Sequence, residues 1–394
     1  MGVVQKILFP YLLSAPEGKA SATDTAIFFG TDFYNLPIDS DRGLFIERTN
    51  QMLAYVRRHF EGHRLLYQPH PNETDEYTLL DMTGFELGKR TISDILLFEE
   101  GERIAGVFAS CSWAAASAYT FGFRAGVFLD LLKGAIPDEV LVAYRSYFAG
   151  FPDSFFIRSF DAELPPSPPR RQEEKARALE TIRTTIGDAK KIWFLSSDPA
   201  YMVHATLLAR ELKANQDISV NLVAARGVRW RIVEGSALYK VFDRIISVQR
   251  QGYTARPKKI PAVLRNALEL WRLPIGPGDV VISFAHAQFT ENCILSWYPR
   301  AKKILLVENR WYHFSYEGGA EMLPEADFHF SWGVRFYNSV LEPLLCLHKV
   351  IYKEFADGKS MNIHRYAKPL ASVCDTAFVL TPLPPVEMSA ERAK

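Results

Sequence analysis

Lys191–Ala224 reads KIWFLSSDPAYMVHATLLARELKANQDISVNLVA. Lys191–Leu195 is a short apolar run that stops at a polar loop, SSDPAY. Met202–Ala214 then places apolar residues at helical spacing, and Val220–Ala224 is a second apolar run. Strand, helix and strand in succession form the unit from which a parallel sheet covered by helices is built. The pattern continues through Asp243–Val248, Val280–Phe284, a helix from Thr290 to about Trp297, and Lys303–Val307.

Moving toward the N-terminus, Ala162–Lys175 reads AELPPSPPRRQEEK. Prolines so dense cannot lie inside a helix or a sheet, so the stretch reads as a linker. Before it the alternation occurs a first time. Ala26–Gly30, Arg64–Tyr67, Ile92–Phe98 and Arg103–Phe108 read as β-rich runs, with a helical pattern from Gly43 to Phe60 and a helix of small residues from Trp113. The expected organisation is α/β with residues 1–161 as one unit, 162–175 as linker and 176–334 as a second unit. Residues 335–394 read as C-terminal helices, with an apolar helical pattern over Phe336–Ala356, and the start of a further linker.

The chain has 394 residues, 48% hydrophobic and 23% charged, which excludes collagen-like, disordered and disulfide-scaffold classes. Lys and Arg number 46 against 45 Asp and Glu, a formal charge of +1, so no excess of positive charge is available to hold a nucleic acid. The four cysteines, Cys111, Cys293, Cys346 and Cys374, are widely spaced without a CxxC pair, which fits reduced thiols in a cytoplasmic protein. The apolar start is short and broken by Pro10, and later apolar runs are too short to span a bilayer. The basic clusters Pro169–Arg171 and Ala255–Lys259 (ARPKK) are candidates for contact with anionic lipid or glycolipid phosphate. No phosphate-binding GxxxxGK[ST] loop or dinucleotide fingerprint occurs.

In sheets of this kind ligands sit beyond the carboxyl ends of the strands, so the residues there are searched for chemistry. After RLLY comes Gln68-Pro69-His70-Pro71-Asn72-Glu73, a histidine between two prolines whose restricted φ fixes the backbone. Its imidazole is a candidate donor to a phosphate or leaving-group oxygen. After IAGVF comes Ala109-Ser110-Cys111-Ser112, with Ser112 placed to cap the following helix, whose free N–H groups and dipole favour an anion. Thr31 follows the strand Ala26–Gly30. In the second unit Asp198 follows the first strand, His286 follows Val280–Phe284, and Glu308 follows Lys303–Val307 with Arg310 and Tyr312 close behind. Asp198 before Pro199 is equally well read as a helix cap, and Glu308 as a surface carboxylate paired with Arg310.

Taken together, the strand followed by QPHP, a further strand, and the serine step opening a helix of small residues resemble the nucleotide-binding domain of bacterial CMP-Kdo and CMP-sialic acid glycosyltransferases. Gln68 stands where those families commonly have Lys, and Cys111 interrupts the hydroxyl pair. The resemblance spans roughly Ala26–Leu132 and implies a GT-B fold: two Rossmann-like domains facing a cleft, here with the nucleotide domain first. It implies that His70, Pro71, Ser110, Ser112 and Thr31 bind the CMP part of the donor. Glu308 and Asp198 are then the alternative catalytic carboxylates beside His70, with Arg310, Tyr312 and His286 toward the acceptor. The implied reaction moves Kdo or sialic acid from its CMP donor to a glycan or lipid-linked glycan acceptor in bacterial surface polysaccharide synthesis. It needs neither cofactor nor metal, and occurs in the cytoplasm, with peripheral contact to the inner membrane. An inverting route needs a general base on the acceptor, and a retaining double displacement needs a carboxylate nucleophile; both remain open. A non-catalytic glycan-binding module and a sugar-nucleotide epimerase or hydrolase are the competing readings.

Overall fold

The computed structural model describes residues 3–8, 24–31, 36–37, 39–70, 73, 75–89, 91–148, 150–168, 172–196, 200–215, 217–226, 237–249, 260–285, 288–308, 328–329, 337–348, 351–355, 363–365 and 373–381. Two compact units result: Pro10–Lys175 with Pro382–Lys394, and Ala176–Thr381 with Met1–Phe9. Strand β1 (Val3–Leu8) therefore leaves the first unit and belongs to the second.

The first unit runs β2 (Thr25–Phe29), α1 (Arg42–His59), β3 (Arg64–Gln68), β4 (Phe85–Leu87), α2 (Ser93–Glu100), β5 (Ile104–Ala109), α3 (Trp113–Thr120), β6 (Ala125–Val127) and α4 (Asp138–Tyr147). Its five strands are all parallel, in the order β4-β3-β2-β5-β6. Counted from β2 this is 3-2-1-4-5, the order of a Rossmann sheet. Helix α1 forms because Phe45, Met52, Leu53 and Val56 recur at helical spacing and are buried, and because Asp41 caps it by accepting from the Leu44 N–H at 2.9 Å. Phe108 of β5 packs against the rings of Tyr55, Phe60 and Phe128 in one cluster, each side chain worth about 1.5–3 kcal/mol when buried.

The second unit continues α5 (Gln172–Ile186), β7 (Lys191–Ser196), α6 (Ala200–Asn215), β8 (Ser219–Arg226), β9 (Arg244–Gln249), α7 (Ile260–Trp271), β10 (Val280–Ser283), α8 (Phe289–Trp297) and β11 (Lys302–Glu308). It ends with β12 (Phe328–His329), β13 (Ile351–Phe355), β14 (Ile363–Arg365) and β15 (Thr376–Thr381). Seven parallel strands stand in the order β1-β15-β11-β10-β7-β8-β9, which from β7 is again 3-2-1-4-5-6, extended by the N-terminal strand at its edge. Strands β12, β13 and β14 form a small antiparallel sheet. The α/β class with two Rossmann-like units is thus what the chain adopts.

Several boundaries differ from the sequence reading. Ile92–Phe98 contributes α2, not a strand, because Ile92, Ile95 and Leu96 keep the helical period. Residues 162–175 are not a free linker: Ala162 and Leu164 pack on the first core, and the Tyr55 hydroxyl donates to the Glu163 carbonyl at 3.0 Å. Pro165 lies where a Cβ on Gly126 would meet it at 2.9 Å, and α5 begins at Gln172. Residues 335–394 are not helices alone. Helical turns end at Leu344, IYKEF forms β13, and TAFVLT completes the large sheet as β15. The tail after Thr381 lies outside the described residues.

Candidate functional site

A Rossmann sheet has one place where the chain order reverses, and ligands bind there at the carboxyl ends. In the first unit that place is between β2 and β5, since β3 and β4 were laid to one side of β2 and β5 and β6 to the other. The residues that leave these two strands meet: Thr31 Oγ1 lies 2.5 Å from Ser110 Oγ. Ser110 is buried and Thr31 half-buried, and the Ser110 hydroxyl also lies 3.8 Å from the Cys111 sulfur. Burial pushes the Cys111 thiol up to about 11, so it is a neutral thiol at physiological pH. Ser112 caps α3, its side chain accepting from the Ala114 N–H at 3.2 Å. That leaves its hydroxyl proton as the group able to reach a ligand.

On the other side of β2, the Gly30 N–H donates to the Gln68 carbonyl at 2.8 Å, tying the ends of β2 and β3 together. Half-buried His70 follows. Its turn is closed twice by Glu73: the Glu73 N–H donates to the His70 carbonyl at 2.9 Å, and Glu73 Oε2 accepts from the His70 N–H at 2.9 Å. The other oxygen, Oε1, accepts from the Tyr67 hydroxyl at 3.0 Å. Glu73 and Tyr67 are fully buried, and burial, with the Glu73 charge adding to it, raises the Tyr67 hydroxyl far above its ordinary value and keeps it a donor. The space this pair fills is the space a side chain at position 30 would need, for a Cβ there would lie 2.4 Å from the Tyr67 hydroxyl and 2.6 Å from Glu73 Oε2. Only glycine fits. Gln68, standing where the resembling families have Lys, points inward and donates to the Lys89 carbonyl at 2.9 Å, bracing the end of β4.

His70 and Ser110 are therefore on one sheet edge but not on neighbouring strands; β2, with Gly30 and Thr31, stands between them. Two strand spacings amount to about 10 Å. Sequence reasoning named His70, Ser110, Ser112 and Thr31 and overlooked Gly30, Tyr67 and Glu73. The signals for these were a glycine directly after a buried strand and an acidic residue closing a turn that starts from a buried tyrosine.

In the second unit the corresponding reversal falls between β7 and β10. Ser196 ends β7, and Ser283 ends β10, its hydroxyl donating to the Ala285 carbonyl at 2.5 Å. The Tyr201 ring in the first turn of α6 stacks on Phe284 at 5.4 Å between centroids, nearly parallel at 10°. His204, one turn further along α6, is buried against the same Phe284, and burial lowers its imidazole to about 3. Glu291 is buried in the first turn of α8. Glu308 closes β11, paired in register with Leu380 on the same carboxyl edge. Asp198, His286, Arg310 and Tyr312, and Pro71 in the first unit, lie outside the described residues. No cluster of three metal-ligating side chains occurs among the described residues, and no described helix is long and apolar enough to cross a membrane.

No family model matches this chain, and no curated protein sequence does. Among solved structures it is similar to UDP-GlcNAc 2-epimerase from Neisseria meningitidis bound to UDP-GlcNAc, at 11% identity and a TM-score of 0.20, covering 75% of this chain and 84% of that one. It is also similar to E. coli heptosyltransferase WaaC with ADP, at 12% identity and a TM-score of 0.17, covering 72% and 87%. At these scores the strand order of the chain itself, not either neighbour, carries the reading of the fold.

Proposed function

We propose that the chain is a GT-B-type glycosyltransferase whose first unit holds the nucleotide monophosphate of a CMP-activated ulosonic acid, Kdo or sialic acid, and whose second unit receives a glycan acceptor. The observation that carries this reading is the Thr31–Ser110 hydroxyl pair at the reversal point of a 3-2-1-4-5 sheet, with His70 on the next strand end. A phosphate accepting hydrogen bonds of about 2.8 Å from both sides would lie beyond the end of β2, the strand that separates β3 from β5.

Charge develops on the phosphate as CMP departs. Donors fixed beforehand stabilise such charge most, because they need no reorganisation during the reaction. In this scheme one hydroxyl of the Ser110–Thr31 pair donates to the other and the second supplies its proton to the phosphate, the opening of α3 supplies the positive end of its dipole, and the imidazole of His70 donates from the other side. Glu73 contributes by fixing the backbone that carries that ring. Glu308 or Asp198 acts at the sugar or the acceptor hydroxyl. The reaction is proposed to proceed without metal, which predicts unchanged turnover in the presence of a chelator.

A thermal-shift screen with CMP, UMP, UDP and GDP tests the donor class. Selective stabilisation by CMP, lost in His70→Ala, is the expected result, and a stronger response to UDP or none to CMP overturns it. Incubation with CMP-sugar alone separates transfer from hydrolysis or epimerisation: rapid CMP release or a changed sugar without acceptor contradicts a transferase.

A further inference from the structure

Helix α7 carries two rows of large side chains, and its own unit covers only one of them. Val263, Asn266, Ala267 and Leu270 are buried. Beside them Leu264, Leu268 and Trp271, spaced i, i+4 and i+7, are 42%, 47% and 65% exposed. A single exposed leucine is ordinary, whereas three large apolar side chains on one line of a helix mark a contact surface. Val340 and Leu344, also exposed, add apolar area near the same helix end. The end of α8 ties them there: the Tyr298 hydroxyl donates to the Leu270 carbonyl and Trp297 Nε1 to the Leu345 carbonyl, both at 2.7 Å.

The charges beside this row say what covers it. With about 3.6 residues per turn, Arg265, Glu269 and Arg272 all fall on the border away from the buried face, about a quarter turn from the row. All three are exposed, and their side chains make no ion pair among the described residues. Arg265 and Glu269 stand one turn apart with the arginine first, the less favourable order for a pair within a helix. A partner surface of a single sign repels one of them. A second α7 running antiparallel satisfies both, because residues on one border then meet the same border of the other copy in reversed order. Leu264 comes opposite Trp271 of the second copy, Leu268 lies near the two-fold axis opposite itself, and Arg265 comes opposite Glu269. The midpoints of these pairs agree to within about one residue, about 1.5 Å along the helix, so a single register makes every contact.

We propose that the chain forms a two-fold homodimer through α7 of the second unit, with Leu264, Leu268 and Trp271 at its centre and two reciprocal Arg265–Glu269 pairs at its border. Exposed ion pairs set the register more than the strength, and one helical row is a small interface, so the dimer is reversible and of micromolar affinity. The proposal stands apart from the transfer reaction and is measured without it.

Sedimentation equilibrium of the full chain over a dilution series reads the dimer directly. A monomer–dimer equilibrium is the expected result. Leu268→Glu sets two like charges on the axis and should leave only monomer, with circular dichroism as in the wild type. Arg265→Glu and Glu269→Arg should each raise the dissociation constant about tenfold, since each turns two attractions into repulsions. The two exchanges made together restore opposite charges across the interface and should return the constant to within about twofold of the wild type. That recovery guards against a folding defect, because a variant that merely damages the helix is not repaired by a second change. A chain that stays monomeric at every concentration, a dimer unaffected by Leu268→Glu, or a charge exchange that fails to restore association overturns the proposal. So does a monomer that binds anionic vesicles through the same leucine, for then lipid covers the face.

Discussion

The two sheets share one strand order but differ in what stands at the point of reversal. In the first unit the strand ends at that point bring small polar groups: Gly30 without a side chain, Thr31 and Ser110 with their hydroxyls at 2.5 Å, and a serine-capped helix. In the second the equivalent ends are packed with rings, Tyr201 on Phe284 and buried His204 behind them, and the Ser283 hydroxyl is spent on a carbonyl two residues away. Topology makes the same kind of place twice. Side chains decide that one presents a hydroxyl pair beside a side-chain-free glycine while the other is filled by rings packed on each other.

Acid should separate the two units most strongly. The buried His204 ring is harder to protonate than a ring in the unfolded chain, so between about pH 6.5 and pH 3 the unfolded chain binds the extra proton. The stabilisation from a neutral His204 is complete above about pH 6.5 and is lost as the pH falls toward 3, at up to about 1.4 kcal/mol per pH unit. Hydrogen exchange on the full chain at decreasing pH should show the α6 and β10 peptides losing protection before the β2–β5 peptides, and His204→Gln should remove the difference. Simultaneous loss in both units would deny His204 this role.

Gly30→Ala tests the packing of the other reversal point. Its methyl would have to displace the Tyr67–Glu73 pair, at a cost of about 2–3 kcal/mol in denaturant unfolding. Glu73→Gln is next: an amide cannot accept from both the Tyr67 hydroxyl and the His70 N–H in the same way, and about 1–2 kcal/mol should be lost. If Glu73 positions His70, the same variant also weakens CMP binding, and wild-type affinity at reduced stability would show that its role ends at the fold. Ser112→Ala should be mildest, about 1 kcal/mol for a lost cap, with a small drop in CMP affinity.

The central strands of both units were legible because strands of a parallel sheet, buried on both faces, read as unbroken apolar runs: AIFF, RLLY, KIWFL and KILLV stand out without context. The edges were not. Short, exposed β4 has no apolar run, and the partnership of β1 with β15 joins residues at opposite ends of the chain, which no local pattern reports. Thr31, His70 and Ser110 were accessible by rule, since each follows a recognisable strand. Glu73 was hidden because its importance comes from a contact with Tyr67 that forms only when the turn after β3 folds back over the strand end.

Hydrogen exchange of the full chain with and without saturating CMP puts the account to its most direct trial. Slowed exchange confined to the peptides holding Gly30–Thr31, His70 and Ser110–Ala114 is the outcome that follows from a phosphate held between the ends of β3, β2 and β5. Protection appearing instead at Ser196–His204 and Ser283–Glu291, with the first unit unchanged, would contradict it.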